Sequence, residues 1–223
     1  MEEQYLRQSL VLGQESPHIL RKKTVGILGC GALGSAAAHL LTRCGVGTLI
    51  LVDGDSVEIH NLARQHLYGK EDVGQPKVEA LAKQLARINP DAQINTHHRY
   101  MQQQGDFSVF RDCDIIIDGL DTHAIRRLLD TFCKDEHTWW VHGAAIQEKG
   151  TCIALNGVDR PYSALYDANA PDTHCADSGV LVTTTTLVAT VQTRLALQLL
   201  LGVTPDYTLY RIDGIECQGY PVK

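Results

Sequence analysis

The chain has 223 residues, enough for one large domain or at most two small ones, and a core of that size needs no disulfide or metal to hold it. Hydrophobic residues make up 44% and charged residues 21%, which excludes a disordered tail protein. Twenty basic residues against 26 acidic ones, a net charge of −6, argue against broad binding to duplex DNA, and no nucleic-acid partner is expected. The seven cysteines show no C-x-x-C spacing, so neither a zinc knuckle nor a redox pair is readable. Free thiols in a chain this long suggest a reducing cytoplasm. The start, MEEQYLRQSL, has no apolar core of a signal peptide. The most apolar stretch, 181–201, carries Thr183 to Thr186, Gln192, Arg194 and Gln198, too polar for a membrane span.

Along the chain, Thr24 to Leu28 is a short β-type run that meets glycines at 29, 31 and 34 and then an Ala- and Leu-rich run to Arg43. This predicts strand, tight turn, helix. Thr48 to Val52 predicts a second buried strand ending at Asp53. Pro76 to Ile88 places Val78, Leu81, Ala82, Leu85 and Ile88 on one helical stripe that stops before Asn89-Pro90. Strands are then expected at 94–97, 113–117, 139–142, 150–155 and 207–212, with helices at 123–133 and 187–201. Alternating strands and helices with short connections predict an α/β fold, a doubly wound and mostly parallel sheet of Rossmann type. Residues 157–180 carry Pro161, Pro171, Asn, Asp and Ser with little periodicity, as a loop over a binding site does. The expected organisation is a single domain over 1–223. It comprises a helical arm (1–20), a nucleotide-binding core (24–155), a loop over the site (156–180) and a C-terminal helix and strand (181–223).

Gly29-Cys30-Gly31-Ala32-Leu33-Gly34 fits G-x-G-x-x-G between a strand and a helix, where backbone amides approach phosphate closely. Asp53 ends the next strand, the position from which an acid binds a ribose hydroxyl. These two features alone favour NAD, and no G-K-[ST] pair marks a P-loop. The following segment changes that reading. It holds Asp55, Asn61, Arg64 and Gln65, then Lys77. A dehydrogenase does not need an Arg, a Gln and a Lys beside the ribose acid. A reaction at a triphosphate does, because Arg and Lys neutralise charge on the α-phosphate and the departing pyrophosphate.

These residues resemble the E1-like adenylyltransferases of the ThiF, MoeB and HesA type. The strings that carry the likeness are Arg7-Gln8, the glycine turn, Gly45-Val-Gly47, Leu51-Val-Asp53-Gly-Asp55, Asn61-Leu-Ala-Arg64-Gln65 and Asp72-Val-Gly74-Gln-Pro-Lys77. Ile88-Asn-Pro90, Asp118-Gly-Leu-Asp121, Gly143-Ala-Ala145 and Cys175-Ala-Asp-Ser-Gly179-Val180 continue it in order over nearly the whole chain. The resemblance implies that ATP, with Mg²⁺, adenylates the C-terminal Gly-Gly carboxylate of a small ubiquitin-like sulfur-carrier protein, a first step of sulfur transfer in thiamine- or molybdopterin-type cofactor biosynthesis. It implies that Gly29, Gly31 and Gly34 hold the phosphates and Asp53 the ribose, with Asp55 and Asn61 lining the site. Arg64 and Lys77 contact the phosphates, and Gln65 assists. Asp121 is the catalytic aspartate linked to Mg²⁺. The resemblance also implies that Arg7 reaches into the partner's site of a homodimer, and Cys175 matches a cysteine that can form a covalent link with the carrier, the competing reading being a small buried hydrophobe.

The chain departs from the family at three places. Many members bind a structural zinc through two C-x-x-C pairs. One is absent near Pro161-Tyr162, and Cys217 alone cannot supply the other, so no zinc is expected. The string after Val180 is Leu-Val-Thr-Thr-Thr-Thr where Gly and Pro are usual. No rhodanese domain is present, so the sulfur donor is expected to be a separate protein. Other readings are activation of a modified tRNA base or a peptide terminus, a non-catalytic nucleotide-bound scaffold and, least favoured, an oxidoreductase. For Asp121 the competing reading is a cap for the helix near 123–133. Cys30, at a helix start, is read as packing, although that place can lower a thiol's pKa.

Overall fold

The computed structural model describes residues 3–167 and 179–222. The run Thr24–Leu28 forms β1, and four of its five residues are buried, as a β-branched segment covered on both faces should be. The strands β2 (Thr48–Asp53), β3 (Gln93–His98), β4 (Ile115–Asp118) and β5 (Trp139–Ile146) all run parallel with it, in the order β3-β2-β1-β4-β5. Three antiparallel strands extend this sheet beyond β5: β6 (Lys149–Leu155), β7 (Thr208–Asp213) and β8 (Glu216–Pro221).

The change of direction is set locally. Only Gln147 and Glu148 separate β5 from β6, and Gln147 takes φ 54° to close that turn. Parallel strands need a long crossover, so a two-residue connection enforces an antiparallel pair. Gly214, at φ 59°, does the same between β7 and β8. The sequence reading has no strand at β8. Glu216–Pro221 is exposed throughout, with Gly219 and Pro221 in it, so neither apolar alternation nor β-propensity marks it.

The described helices are α1 (Leu6–Leu12), α2 (Ser16–Leu20), α3 (Ala32–Arg43), α4 (Lys77–Ile88), α5 (His123–Asp135) and α6 (Val182–Leu200). α6 begins five residues before the expected Leu187. Four consecutive β-branched Thr are poor helix formers, but tertiary packing overrides propensity here. Thr184 and Thr185 are buried, and the hydroxyls of Thr185 and Thr186 donate to Val182 O at 2.9 and 2.7 Å.

On one face of the sheet α3, α4 and α6 bury Ala37, Leu41, Leu81, Leu85, Val188 and Ala196 in a common core. On the other, α5 and the 3-10 stretch Gln104–Phe110 bury Phe107, Phe110, Leu129 and Phe132 against Trp140 and Tyr162. Each of the Val, Leu and Phe side chains among these contributes about 1.5–3 kcal/mol when fully buried. After β1 the chain proceeds to β2 and β3 on one side, then returns to β4 and β5 on the other. The helices α3 and α5 therefore leave the sheet on opposite faces, and a crevice opens between them at the strand ends, where ligands of such folds bind.

Candidate active site

A cleft of about 700 Å³ occupies that crevice. Its floor is the glycine turn between β1 and α3. Gly29 has φ +89°, a conformation that L side chains rarely adopt. Gly34 packs so closely under the turn that a Cβ would lie 1.8 Å from Gly29 O. Gly29 and Gly31 line the cleft, and Gly34 acts beneath it by letting α3 approach. Tyr68 supports the turn from below, donating its hydroxyl to Cys30 O at 2.6 Å. Cys30 is fully buried, and burial first, then Asp53, pushes its thiol well above the ordinary value. The helix start does not activate it.

Asp53 binds the turn to the strand end beside it. One carboxylate oxygen accepts from Cys30 N at 2.6 Å and the other from Asp55 N at 2.7 Å. Burial raises its carboxyl above the ordinary range against the pull of Lys77 and of both amides. The loop after Asp55 folds back, with Val57 N on Gln75 O and Lys77 N on Asp55 O, both 2.9 Å. This return brings Lys77, 22 residues on, to the start of α4 with Nζ 2.7 Å from Asp55 Oδ2. Tyr100 donates to the other Asp55 oxygen at 2.7 Å. Burial works against the charge of Asp55, but the Lys77 ammonium and the Tyr100 hydroxyl outweigh it and hold its carboxyl below the ordinary value.

Asn61, Arg64 and Gln65 stand on the same loop and line the cleft. Asn61 is buried and spends its side-chain oxygen on Glu58 N at 3.0 Å, shaping the loop. Arg64 is half-buried, with Nη1 on His60 O at 3.0 Å. Gln65 is 3% exposed, and its Oε1 has no hydrogen-bond partner among the described residues. A buried amide oxygen left without a donor costs about 1–3 kcal/mol. A ligand donor would satisfy it.

Opposite the glycine turn, Asp121 lines the cleft from the turn after β4. It does not cap α5. Thr122 is the N-cap residue and makes no side-chain cap bond. Asp121 is exposed and has no hydrogen-bond partner among the described residues. The turn that carries it is fixed from beneath by Asp118, which is fully buried. Asp118 accepts from Leu120 N at 2.9 Å, Arg126 Nε at 2.8 Å and His142 Nδ1 at 2.7 Å. Arg126 donates again to Leu120 O and, at 3.1 Å, to Gly143 O. Burial opposes the charge of Asp118, but Arg126 and His142 prevail and keep its carboxyl below the ordinary range. Burial also lowers the pKa of His142 and keeps the ring neutral, more strongly than Asp118 raises it.

The structure thus gathers Gly29, Gly31, Asp53, Asp55, Asn61, Arg64, Gln65, Lys77 and Asp121 around one cavity. Arg7 is exposed on α1 and does not line the cleft of its own chain. Cys175 lies outside the described residues, as do residues 168–178 of the loop expected over the site. Sequence reasoning overlooked Tyr100, Lys149 and Tyr166, which also line the cavity. It also overlooked the buried Asp118–Arg126–His142 network. His142 sits inside the apolar run of β5, and only an ionisable residue in a strand that is otherwise core gave any signal.

Residues 5–222 match the ThiF family. The chain belongs to the ThiF family. A molybdopterin-synthase adenylyltransferase of Escherichia coli (strain K12) is 32% identical over 218 residues, covering 95% of this chain and 86% of that protein. A probable molybdopterin-synthase adenylyltransferase of Porphyra purpurea is 30% identical over 210 residues, covering 90% of this chain and 55% of that protein. The chain spans about half the length of several such relatives. Among solved structures, E. coli MccB with ATP superposes with a TM-score of 0.85 at 17% identity, covering 100% of this chain and 72% of that one. That likeness shows the fold. Among the described residues no helix is long and apolar enough to cross a membrane.

Proposed function

We propose that this ThiF-family chain is an ATP-dependent adenylyltransferase. It transfers AMP to the C-terminal Gly-Gly carboxylate of a small ubiquitin-like sulfur-carrier protein and releases pyrophosphate, as a first step of sulfur transfer in cofactor biosynthesis. The observation that carries this reading is the convergence of a phosphate-type glycine turn, the acid Asp53, the cations Lys77 and Arg64 and the carboxylate of Asp121 in one cleft. The buried, donor-seeking oxygen of Gln65 beside the turn fits an incoming nucleotide.

In this reading the ribose hydroxyls bond to the remaining lone pairs of Asp53. Lys77 exchanges part of its pairing with Asp55 for the α-phosphate, and Arg64 meets the outer phosphates. The carrier carboxylate attacks the α-phosphorus, the bond to the bridging oxygen breaks, and pyrophosphate leaves with the electron pair. Lys77 and Arg64 stabilise that charge where it develops. Among the described residues no group of three or more His, Cys, Asp or Glu is arranged to hold a metal. Mg²⁺ keeps waters and takes one or two carboxylates, and here Asp121 would hold it beside the triphosphate. When bound, Mg²⁺ supplies charge neutralisation on the phosphates.

We further propose a cytoplasmic homodimer in which Arg7 of one copy serves the other's cleft, a separate sulfur-donor protein, and Cys175 as the thiol that links to the carrier. ATP–pyrophosphate exchange that requires a carrier ending in Gly-Gly tests the main reading. Exchange with carrier present that falls to background in an Asp121→Ala variant supports it. Undiminished exchange in that variant, or ATP binding with no exchange for any such carrier, sinks it. Exchange driven instead by a peptide terminus or by tRNA would move the substrate assignment to that class.

A further inference from the structure

Away from the glycine turn the cleft is walled by Ala144 and Ala145 of β5, Thr151 of β6 and Tyr166. Tyr166 follows the 3-10 turn Tyr162–Ala164 and belongs to no helix or strand, so no ladder of backbone bonds holds it. Side-chain contacts do this instead. Its ring centroid lies 4.8 Å from that of His123 and 4.9 Å from that of Tyr162. Its hydroxyl lies 3.3 Å from His142 Nε2 and 3.5 Å from Thr151 Oγ1.

The direction of the bond to His142 follows from its neighbours. An ionised Asp118 only accepts, so His142 Nδ1, 2.7 Å away, carries the ring hydrogen. The neutral ring then offers Nε2 as an acceptor, and the Tyr166 hydroxyl donates to it. A continuous chain of charge-assisted and neutral bonds therefore runs from Arg126 through Asp118 and His142 to the cleft wall. Because Arg126 also holds Leu120 O and Gly143 O, the same chain fixes the turn before Asp121 and the strand beneath Ala144. Neither Lys77 nor Arg64 is hydrogen-bonded to it among the described residues.

We infer that His142 and Tyr166 are positioning residues for the acyl substrate. His142 holds the Tyr166 hydroxyl and so sets the wall along which the substrate's terminal residues lie, leaving the nucleotide half of the cleft unaffected. This rests on the adenylation reading above for what enters the cleft, while the tie between the two side chains stands independently of it.

Two variants isolate the bond. Tyr166→Phe keeps the ring and removes the donor. His142→Asn keeps an N–H for Asp118 and leaves no acceptor at the Nε2 position that Tyr166 meets. In pyrophosphate exchange, each is expected to raise KM for a Gly-Gly carrier by about 3- to 10-fold, the worth of one hydrogen bond. KM for ATP stays within about twofold in each. The double variant is no worse than the worse single one, because both changes break the same contact. Amide hydrogen exchange at residues 162–166 of the nucleotide-free protein speeds up in both variants, with β1 unchanged. Additive KM effects, an equal rise in KM for ATP, or unchanged exchange at 162–166 would overturn the inference. If the wild-type protein binds ATP but supports no carrier-dependent exchange, the adenylation reading fails. Hydrogen exchange then decides the tie by itself: faster exchange upholds it and unchanged exchange sinks it.

Discussion

The ends of β2 and β4 face each other across the cleft, and they use their carboxylates differently. At β2, Asp53 and Asp55 are only part-buried, bonded to amides, to Lys77 and to an exposed tyrosine, and nearby the Gln65 oxygen has no partner among the described residues. At β4, Asp118 and Arg126 are 0% and 5% exposed, and the carboxylate accepts three bonds. One end keeps charge and unspent bonding capacity within reach of a ligand. The other has used its capacity internally and serves as the foundation on which Asp121 stands. Whether a charged residue here acts on ligand or on fold is decided by what is left over after its internal bonds are counted.

The comparison breaks most severely at β4. Arg126→Met leaves Asp118 buried and ionised without its cation, and such losses cost about 3–5 kcal/mol. Urea unfolding is expected to show that loss, and a stability within about 1 kcal/mol of wild type would remove Arg126 from the foundation. At β2, Lys77→Ala is expected to lower the exchange rate by about 10²- to 10³-fold, as removal of one preorganised donor to developing charge does. Its cost in stability should be far smaller than that of Arg126→Met, because the freed Asp55 is half in water. Equal losses of stability at the two ends would erase the distinction drawn here.

How much of this was legible in the sequence follows the same division. The glycine turn and Asp53 are readable because they depend on local spacing around two strands. Arg64 and Lys77 are readable as cations for a triphosphate because they follow the ribose acid so closely, whereas Asp121 comes from the family likeness. The pairing of Lys77 with Asp55 needs the folded loop between them, whose antiparallel bridge Ser56–Pro76 has no motif of its own. The Asp118–Arg126–His142 cluster is assembled from a strand, a helix and the neighbouring strand, at separations no periodicity encodes. The parallel part of the sheet reads as apolar runs, whereas β8 exists because β7 offers it an edge, and it buries nothing. Cys30, read from the sequence as packing despite its place at a helix start, is fully buried.

A smaller effect sharpens the β4 side by pH. Burial holds the folded His142 below its ordinary value of 6.5. The unfolded chain therefore takes up this proton first as pH falls. The contribution of the neutral ring is complete above about pH 6.5 and is lost progressively below it, toward the lowered folded value. Asp118, Arg126, His123, Tyr162 and Tyr166 surround the ring and set that value. In His142→Asn the slope of stability against pH between 5 and 6.5 is expected to flatten, leaving the part due to His39 and His97, which burial also lowers. An unchanged slope would mean that His142 titrates normally. At the bottom of the scale, Arg21→Ala breaks an ion pair to Asp91 that is 57% and 66% exposed, and unfolding should move by no more than about 0.5 kcal/mol.

The double use of Asp53 has a consequence for which changes position 53 can tolerate. Its two oxygens receive two different backbone N–H groups, one from the glycine turn and one from the loop that leads to Lys77. An asparagine there has the right shape but only one oxygen, so its own NH₂ would point at an N–H. The choice of residue is thus dictated by the protein's backbone before any nucleotide arrives. A carboxylate retained in a distant relative at this place is evidence of an intact turn and only secondarily of a retained ligand.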